Sequence, residues 1–372
     1  MKKVLFVASV VKTHIMEFHL PYLKMFKDLG WETFVAAKND YENYDDCKIP
    51  FCDHYYDIPF DRFPLKTANV HSYQLLKKII RKNNFDLIHC HTPVGAMVAR
   101  LAANHSRKHG TRVIYTAHGF HFYQGAPLIN WLVYFPAEWI CSFMTDTLIT
   151  INKEDFAFAQ RHMHARNIVY VPGVGIDLSK FCIHKINSQT KRNELEIPEN
   201  KLWILTVGEL IPRKNHERLI KAVADIPNCY LTIAGRGKLK DELTTLINDL
   251  NVGDRVKLLG YRSDVAELCE ASDVFAFPSI QEGLPVALME AMACGKAIIC
   301  SRIRGNIDLI DPEGGILFNP YDSNDIKRAL LEILHCNRFQ MGQHNIQTVQ
   351  AFGLDSVMQQ MTHIYHQTEV AK

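Results

Sequence analysis

Two carboxylates, Glu282 and Glu290, stand at either end of the stretch Glu282-Gly-Leu-Pro-Val-Ala-Leu-Met-Glu290. The apolar run 273–279 before them reads as a buried strand, and Pro285 suits the first position of a helix that follows. Gly283 allows a ligand close to the backbone, and the unpaired amides of a first helical turn can hold an anion or a ring of hydroxyls. Glu282 then lies in the loop and Glu290 about one and a half turns inside the helix, so the two can reach different parts of one ligand. Charge-assisted hydrogen bonds from hydroxyls to carboxylates contribute roughly 1.5–3 kcal/mol each when well made, which suits a polyhydroxylated molecule. The bland alternative is a capping Glu282 and a solvated Glu290.

Cations stand at a second point. Val207-Gly-Glu-Leu-Ile-Pro-Arg-Lys-Asn-His216 ends one strand-like run and leads into a helical one, which places Arg213 and Lys214 where a diphosphate would also face helix amides. An isolated Arg-Lys pair is more often a solvated surface feature; the position at a strand end favours the ligand. The Gly-containing turns Ala234-Gly-Arg-Gly-Lys238 and Leu259-Gly-Tyr-Arg-Ser263 fit tight connections as well as they fit ligand contacts. Tyr115-Thr-Ala-His-Gly-Phe-His121 offers His118 at another strand end, for a sugar hydroxyl or the acceptor side of a reaction. Alternate residues of a strand share a face, so His89 and His91 could join His118 and His121 around a metal. No carboxylate or second Cys/His pair sits at a recognised ligand spacing, and the expectation is therefore no metal.

These groups need strands that end at them. Residues 4–10, 32–38, 86–91, 112–118, 146–152 and 167–172 are short and rich in branched side chains, and helical patterns separate most of them. The second half repeats the alternation at 202–208, 229–235, 255–260, 273–279, 297–301 and 315–318. Alternation of this kind predicts two doubly wound α/β domains with parallel sheets. Parallel sheets hold ligands beyond the carboxyl ends of their strands, so two facing sheets would make a cleft lined by the motifs above. The polar stretch 184–200 marks the boundary, giving domains 1–185 and 186–354, with residues 355–372 as a terminal helix.

A chain of 372 residues is long enough for two such cores, and 47% hydrophobic with 22% charged residues is ordinary for a globular protein. A net charge of +2 gives no support for a nucleic-acid binder acting through bulk charge. Ten cysteines without paired C-x-x-C spacing point to reduced thiols and a cytoplasmic protein. The apolar start is short and reads as a first strand, since Lys12 and His14 follow at once without a cleavage-type site. Residues 128–145 are marginal for a membrane span and are interrupted by Asn130, Pro136 and Glu138, so a buried helix is expected. Residues 66–82 carry Val70, Tyr73, Leu76 and Ile80 at helical spacing, with five basic residues and no acidic one. A core helix with a solvated basic face and a helix lying on an anionic membrane fit this pattern equally.

The strand, the E-G-x-P loop and the second Glu of 282–290 together resemble the signature of family 4 glycosyltransferases, retaining enzymes of the GT-B fold. The likeness runs over nearly the whole chain and is greatest to the bacterial capsule and exopolysaccharide branch. It implies two Rossmann-like domains, acceptor-binding first and donor-binding second, with the last helix returning to the first. Lys214 matches the lysine of the family's G-R-L-x-x-x-K pattern, which grips the donor pyrophosphate. Glu209 stands where that pattern has its Arg, and Arg213 is the candidate replacement. His118 resembles the T-x-H-G histidine on the transferred sugar, and the loop of Tyr261 and Arg262 passes the nucleotide base in similar enzymes. Glu290 is implied for the ribose, and Glu282 with the Gly283 and Leu284 amides for the donor sugar. Arg302 or Arg304 fits a ligand contact or a surface pair equally, and no donor contact is assigned to the loop 10–16, which lacks the Gly-Gly of many relatives. The resemblance implies a metal-independent hexosyltransferase without a cofactor, peripheral at the inner face of the membrane. It would move a UDP-linked sugar to a lipid-linked saccharide. Two rivals are a nucleotide-sugar epimerase of the same fold and a non-catalytic nucleotide-sugar binder. A dinucleotide-dependent dehydrogenase is disfavoured, because no G-x-G-x-x-G follows the first strand.

Overall fold

Val4, Leu5, Phe6, Val7 and Ala8 are all wholly buried, so this strand is covered on both faces, as a strand inside a parallel sheet must be. It is β1 (Lys3–Val10) of a computed structural model that describes residues 1–61, 63–64, 66–181 and 188–370. The first sheet continues with β2 (Glu32–Lys38), β3 (His54–Asp57), β4 (Leu87–His91), β5 (Arg112–Ala117), β6 (Thr147–Thr150) and β7 (Asn167–Tyr170). The second comprises β8 (Leu202–Val207), β9 (Cys229–Ala234), β10 (Val256–Gly260), β11 (Val274–Phe277), β12 (Ala297–Ser301) and β13 (Gly315–Phe318). Strand orders are β3-β2-β1-β4-β5-β6-β7 and β10-β9-β8-β11-β12-β13, and every pairing is parallel. Each is therefore a Rossmann-like sheet of an α/β domain, with one point where strand order reverses: β1/β4 in the first and β8/β11 in the second.

The chain divides into Met1–Val174 with Met358–Lys372, and Gly175–Val357. The boundary expected between residues 185 and 186 lies outside the described residues. Within the first unit the Tyr365 hydroxyl lies 2.8 Å from His89 Nδ1, and Thr362 donates to the Met25 sulfur at 3.3 Å. The nine described cysteines are free thiols.

Twelve of the thirteen strands fall on the expected runs; β3 does not. Its sequence, His-Tyr-Tyr-Asp, lies at the sheet edge with every side chain at least partly exposed, so it shows no buried branched run. The helix Thr67–Asn83 forms where expected, but its buried face is Asn69, Ser72, Leu76 and Ile80, and Val70 is 60% exposed. Asn69 wins the inward position because its amide accepts from the Asp61 N–H and donates to the Phe63 carbonyl, stitching the preceding loop to the helix.

The helix Leu128–Ser142 is buried on one face only. Trp131, Tyr134 and Phe135 pack on the core, whereas Leu128, Ile129, Leu132, Trp139 and Ile140 are exposed. Glu138, the charge in the middle of this apolar run, is held by Arg100 at 2.7 Å and by the Tyr115 hydroxyl at 3.0 Å. No described helix is long and apolar enough to cross a membrane.

Candidate functional site

In the second unit β8 and β11 are neighbours, and the loops that leave their carboxyl ends carry both sequence motifs. Lys214 Nζ lies 2.7 Å from Glu282 Oε1, and Arg213 Nη1 lies 3.0 Å from the same oxygen. Two cations thus share one carboxylate, which leaves a surplus positive charge at the start of the helix Val286–Ala293. That combination can hold an anion such as a diphosphate. The aliphatic stem of Lys214 packs against Gly208, where even a Cβ would sit only 3.4 Å from its carbons, and its ammonium lies 4.8 Å from the centre of the Phe277 ring.

The loops are braced from below. Asn215 adopts a left-handed conformation, φ 57°, and its amide donates to the Pro278 and Pro320 carbonyls at 3.0 Å each, tying the Arg213-Lys214 turn to the end of β11. Arg304 is buried and donates to the Glu282 carbonyl at 3.1 Å. Gly305 has φ 80°, and a Cβ there would lie 2.3 Å from the Gly283 carbonyl oxygen, so only glycine lets this loop rest on the Glu282-Gly283 backbone. Arg304 is a positioning residue for the motif, whereas Arg302 is exposed.

Pro285 is the cap of the key helix rather than its first residue. Its ψ of 118° is extended, so Val286 begins the helix. Leu284 is buried, and the amides of Val286, Ala287 and Leu288 have no carbonyl four residues back within the helix. Glu290 sits in the second turn, and burial raises its carboxyl pKa above 4.5, with the charge on Lys180 opposing in part. Arg213, Lys214, Glu282 and Gly283 are therefore brought together, with Glu290 on the helix that Gly283 and Leu284 lead into.

Other expected residues fare differently. The Glu209 side chain is exposed and forms no ion pair among the described residues, and its carbonyl accepts from His216 Nε2 at 3.2 Å. Gly235 and Gly237 are required by close approach to the backbone of Gly208 and Leu210, which explains that turn by packing alone. The Arg262 guanidinium is engaged by Asp264 at 2.7 and 2.6 Å and by Glu194 at 2.7 Å, so its side chain serves a local ion-pair network. Tyr261 is 67% exposed beneath the guanidinium of Arg236, 5.1 Å from its ring centre.

In the first unit the polar cluster also sits at the reversal of strand order. His118 follows β5, and its Nε2 lies 3.3 Å from Nδ1 of His91, the last residue of β4. The grouping weighed from the sequence, His89 with His91, His118 and His121, is not the one that forms. Both nitrogens of His89 are used, by the Tyr365 and Thr116 hydroxyls at 2.8 Å each, and the His121 ring lies against Tyr134 at 4.5 Å. Two histidines that sequence reasoning missed take their places: His14, on the wide π-helical turn Val11–Ile15 after β1, and His19, at the head of the helix Leu20–Asp28. No spacing rule links residues 14, 19, 91 and 118; three strand ends bring them together. Burial lowers the pKa of His14 to about 4 and those of His19, His91 and His118 well below 6.5, so all four are neutral at neutral pH.

Comparison with known proteins agrees with this geometry. Residues 187–348 match the family described as Glycosyl transferases group 1, and residues 3–152 that described as Glycosyl transferase 4-like. The chain is 37% identical to the putative glycosyltransferase EpsD of Bacillus subtilis, over 98% of this chain and 96% of that one. It is 31% identical to the UDP-Gal:alpha-D-GlcNAc-diphosphoundecaprenol alpha-1,3-galactosyltransferase of Escherichia coli, over 69% of this chain and 68% of that one. Among solved structures, sucrose-phosphate synthase from Thermosynechococcus elongatus superposes with a TM-score of 0.80 at 20% identity, covering the whole of both chains. Anabaena HepE in complex with UDP and glucose gives 0.78 at 20% identity, over 99% of this chain and all of that one. These two likenesses establish the fold as GT-B. By its sequence relatives and its two Rossmann-like domains, the chain belongs to the group 1, family 4-like glycosyltransferases.

Proposed function

We propose that this glycosyltransferase moves a hexose from a UDP-linked donor to a lipid-linked saccharide, with retention at the anomeric carbon, in capsule or exopolysaccharide synthesis. The observation that carries the reading is the convergence of Arg213 and Lys214 on Glu282 at the start of the Val286–Ala293 helix. The leaving group is a nucleoside diphosphate, and charge that develops on it must be met by groups already in place. Lys214, Arg213 and the first-turn amides meet it without a metal or cofactor, and turnover is expected to persist in chelator. Arg213 supplies the cation that Glu209 does not. Glu282, with the Gly283 and Leu284 backbone, holds the donor sugar, and Glu290 accepts from the ribose hydroxyls. Tyr261 and Arg262 pass the base through their backbone, since the Arg262 side chain is already paired. His118 is assigned to the transferred sugar by its motif, and being neutral it can both donate and accept.

The acceptor class rests on relatives: the Escherichia coli protein is named for a diphosphoundecaprenol substrate. A lipid-linked acceptor needs an enzyme at the membrane surface. Val70 and Leu101 are exposed on the first unit and line one hollow with Lys66, and the helix of Val70 carries Lys77, Lys78, Arg81 and Lys82 further along, a surface suited to an anionic bilayer at roughly 1 kcal/mol per cation near the surface.

The test is donor turnover with a panel of UDP- and GDP-sugars, with and without a membrane lipid extract, alongside Glu282→Ala and Lys214→Ala. Nucleotide release is expected from one UDP-sugar, dependent on the lipid fraction and lost in both variants. Tight binding without release under any acceptor would make the protein a nucleotide-sugar binder. Sugar isomerisation without a glycosidic product would make it an epimerase.

A further inference from the structure

The four histidines at the reversal of the first sheet are arranged unlike core histidines. Each offers one ligand atom, and these four atoms lie within 4.8 Å of one another, the one such grouping among the described residues. The His19 and His91 ring centres are 3.8 Å apart, those of His14 and His118 4.8 Å, and those of His14 and His19 4.9 Å. His14 Nε2, both nitrogens of His19 and His91 Nε2 are buried without a hydrogen-bond partner. Burying a polar atom without a partner is costly, and a fold seldom gathers four such nitrogens, here on three rings, unless something satisfies several of them together. His89, two residues before His91 on the same strand, shows the contrast: it is equally buried, yet both its nitrogens are bonded.

A hydrogen-bonding solute could satisfy one or two of these atoms, but one ligand nitrogen from each of four rings, all within 4.8 Å of one another, matches a tetrahedral metal. Zinc–nitrogen bonds of about 2.0–2.1 Å place two ligands roughly 3.3–3.4 Å apart. His91 Nδ1 and His118 Nε2 are already at 3.3 Å. The ionisable groups that bear on His19 and His91 are other histidines, with no carboxylate among them. An all-imidazole set favours zinc, copper, nickel or cobalt over magnesium, calcium or manganese, which seek oxygen.

We infer that His14, His19, His91 and His118 form a binding site for a divalent transition-metal ion of the zinc class. The bound metal holds the His118 ring and so opposes transfer, a consequence that rests on the role given to His118 above. Metal-independent turnover and metal inhibition are compatible: a metal on His118 Nε2, the nitrogen that faces His91, denies that nitrogen to the sugar and fixes the ring.

The test uses the full chain stripped of metal. Titration with Zn2+ against a chromophoric chelator is expected to show one equivalent bound, and Co2+ to give the intense visible bands of a tetrahedral site, with a tenfold excess of Mg2+ displacing neither. His14→Gln and His91→Gln are each expected to weaken Zn2+ binding at least about 100-fold, since loss of an outer-shell partner alone costs 10–100-fold. The exposed His105→Gln should bind as the unaltered chain does, and circular dichroism checks that each variant is folded. Absence of a tight equivalent in the unaltered chain, or full retention of binding in folded His14→Gln and His91→Gln, overturns the site. Micromolar Zn2+ is expected to slow sugar transfer at least tenfold and chelator to restore it. Stoichiometric binding without slowing would remove the inhibitory consequence. Binding is read without donor or acceptor, so a chain that binds zinc but transfers no sugar would refute the proposed function and leave the metal site standing.

Discussion

The two sheets reverse strand order once each, at β1/β4 and at β8/β11, and each gathers its polar residues at that point with opposite chemistry. The first collects neutral imidazoles, packed ring against ring and partly without hydrogen-bond partners. The second collects ions, two cations on one carboxylate beside a helix start. The reversal supplies only the crevice; residue type decides what is bound there. Ionic groups suit a diphosphate, and neutral donors and acceptors suit a hydroxyl or a metal. The comparison also separates two ion pairs of equal length. Arg100–Glu138 in the first unit, 2.7 Å, is enclosed by helix and sheet and serves the fold. Lys214–Glu282 in the second, also 2.7 Å, stands on two strand-end loops, where the proposed donor diphosphate would lie.

That separation can be broken by mutation. Arg100→Ala leaves Glu138 charged and buried, with only the Tyr115 hydroxyl beside it. It is expected to cost about 3–5 kcal/mol in chemical denaturation, and a loss below about 1 kcal/mol would place the pair with the exposed ones. Lys214→Ala is expected to lower kcat/KM for the donor about 10²–10³-fold, while stability falls by much less than in Arg100→Ala because Arg213 still faces Glu282. Comparable stability losses in the two variants would erase the distinction.

Glu290→Gln sharpens the ionic site further. If the carboxylate binds ribose hydroxyls, donor KM should rise about tenfold with kcat little changed, the equivalent of one lost charge-assisted bond. Burial raises this carboxyl's pKa, so as pH falls the carboxylate is lost while ordinary glutamates remain ionised. Donor KM should therefore climb on the acid side at a pH above 4.5, and Glu290→Gln should flatten the climb. Stability moves the other way: the protonated form is the one burial favours, so this group's stabilising contribution is present at low pH and lost as pH rises through its raised pKa. The smallest effect is expected from Arg262→Ala. Its side chain is tied to Asp264 and Glu194 at a partly exposed position, so a loss of about 0.5–1 kcal/mol in stability with unchanged donor KM is the outcome, and a tenfold rise in KM would return the side chain to the base site.

Much of this was legible beforehand because it is local. Twelve strands announced themselves as short apolar runs, since a strand covered on both faces admits little else. Lys214, Glu282 and Glu290 were legible because each motif lies on a single strand–loop–helix passage. The edge strand β3 was not, because half-exposed tyrosines and a histidine carry no period. Nor was the buried face of Thr67–Asn83, where Asn69 displaced Val70 by finding hydrogen bonds inside.

What the sequence determined by itself is the class of fold, the family and the two motifs of the second domain, all set by residues near one another in the chain. What only the tertiary structure decided is which distant residues meet. The convergence of Arg213 and Lys214 on Glu282 depends on β8 lying beside β11. The four-histidine cluster depends on β1, β4 and β5 ending side by side, and the silencing of Arg262, begun by Asp264 in its own loop, is completed by Glu194 from a distant helix. Spacing along a chain carries the geometry of a turn or a helix. It does not carry sheet order, which is settled by the packing of whole elements.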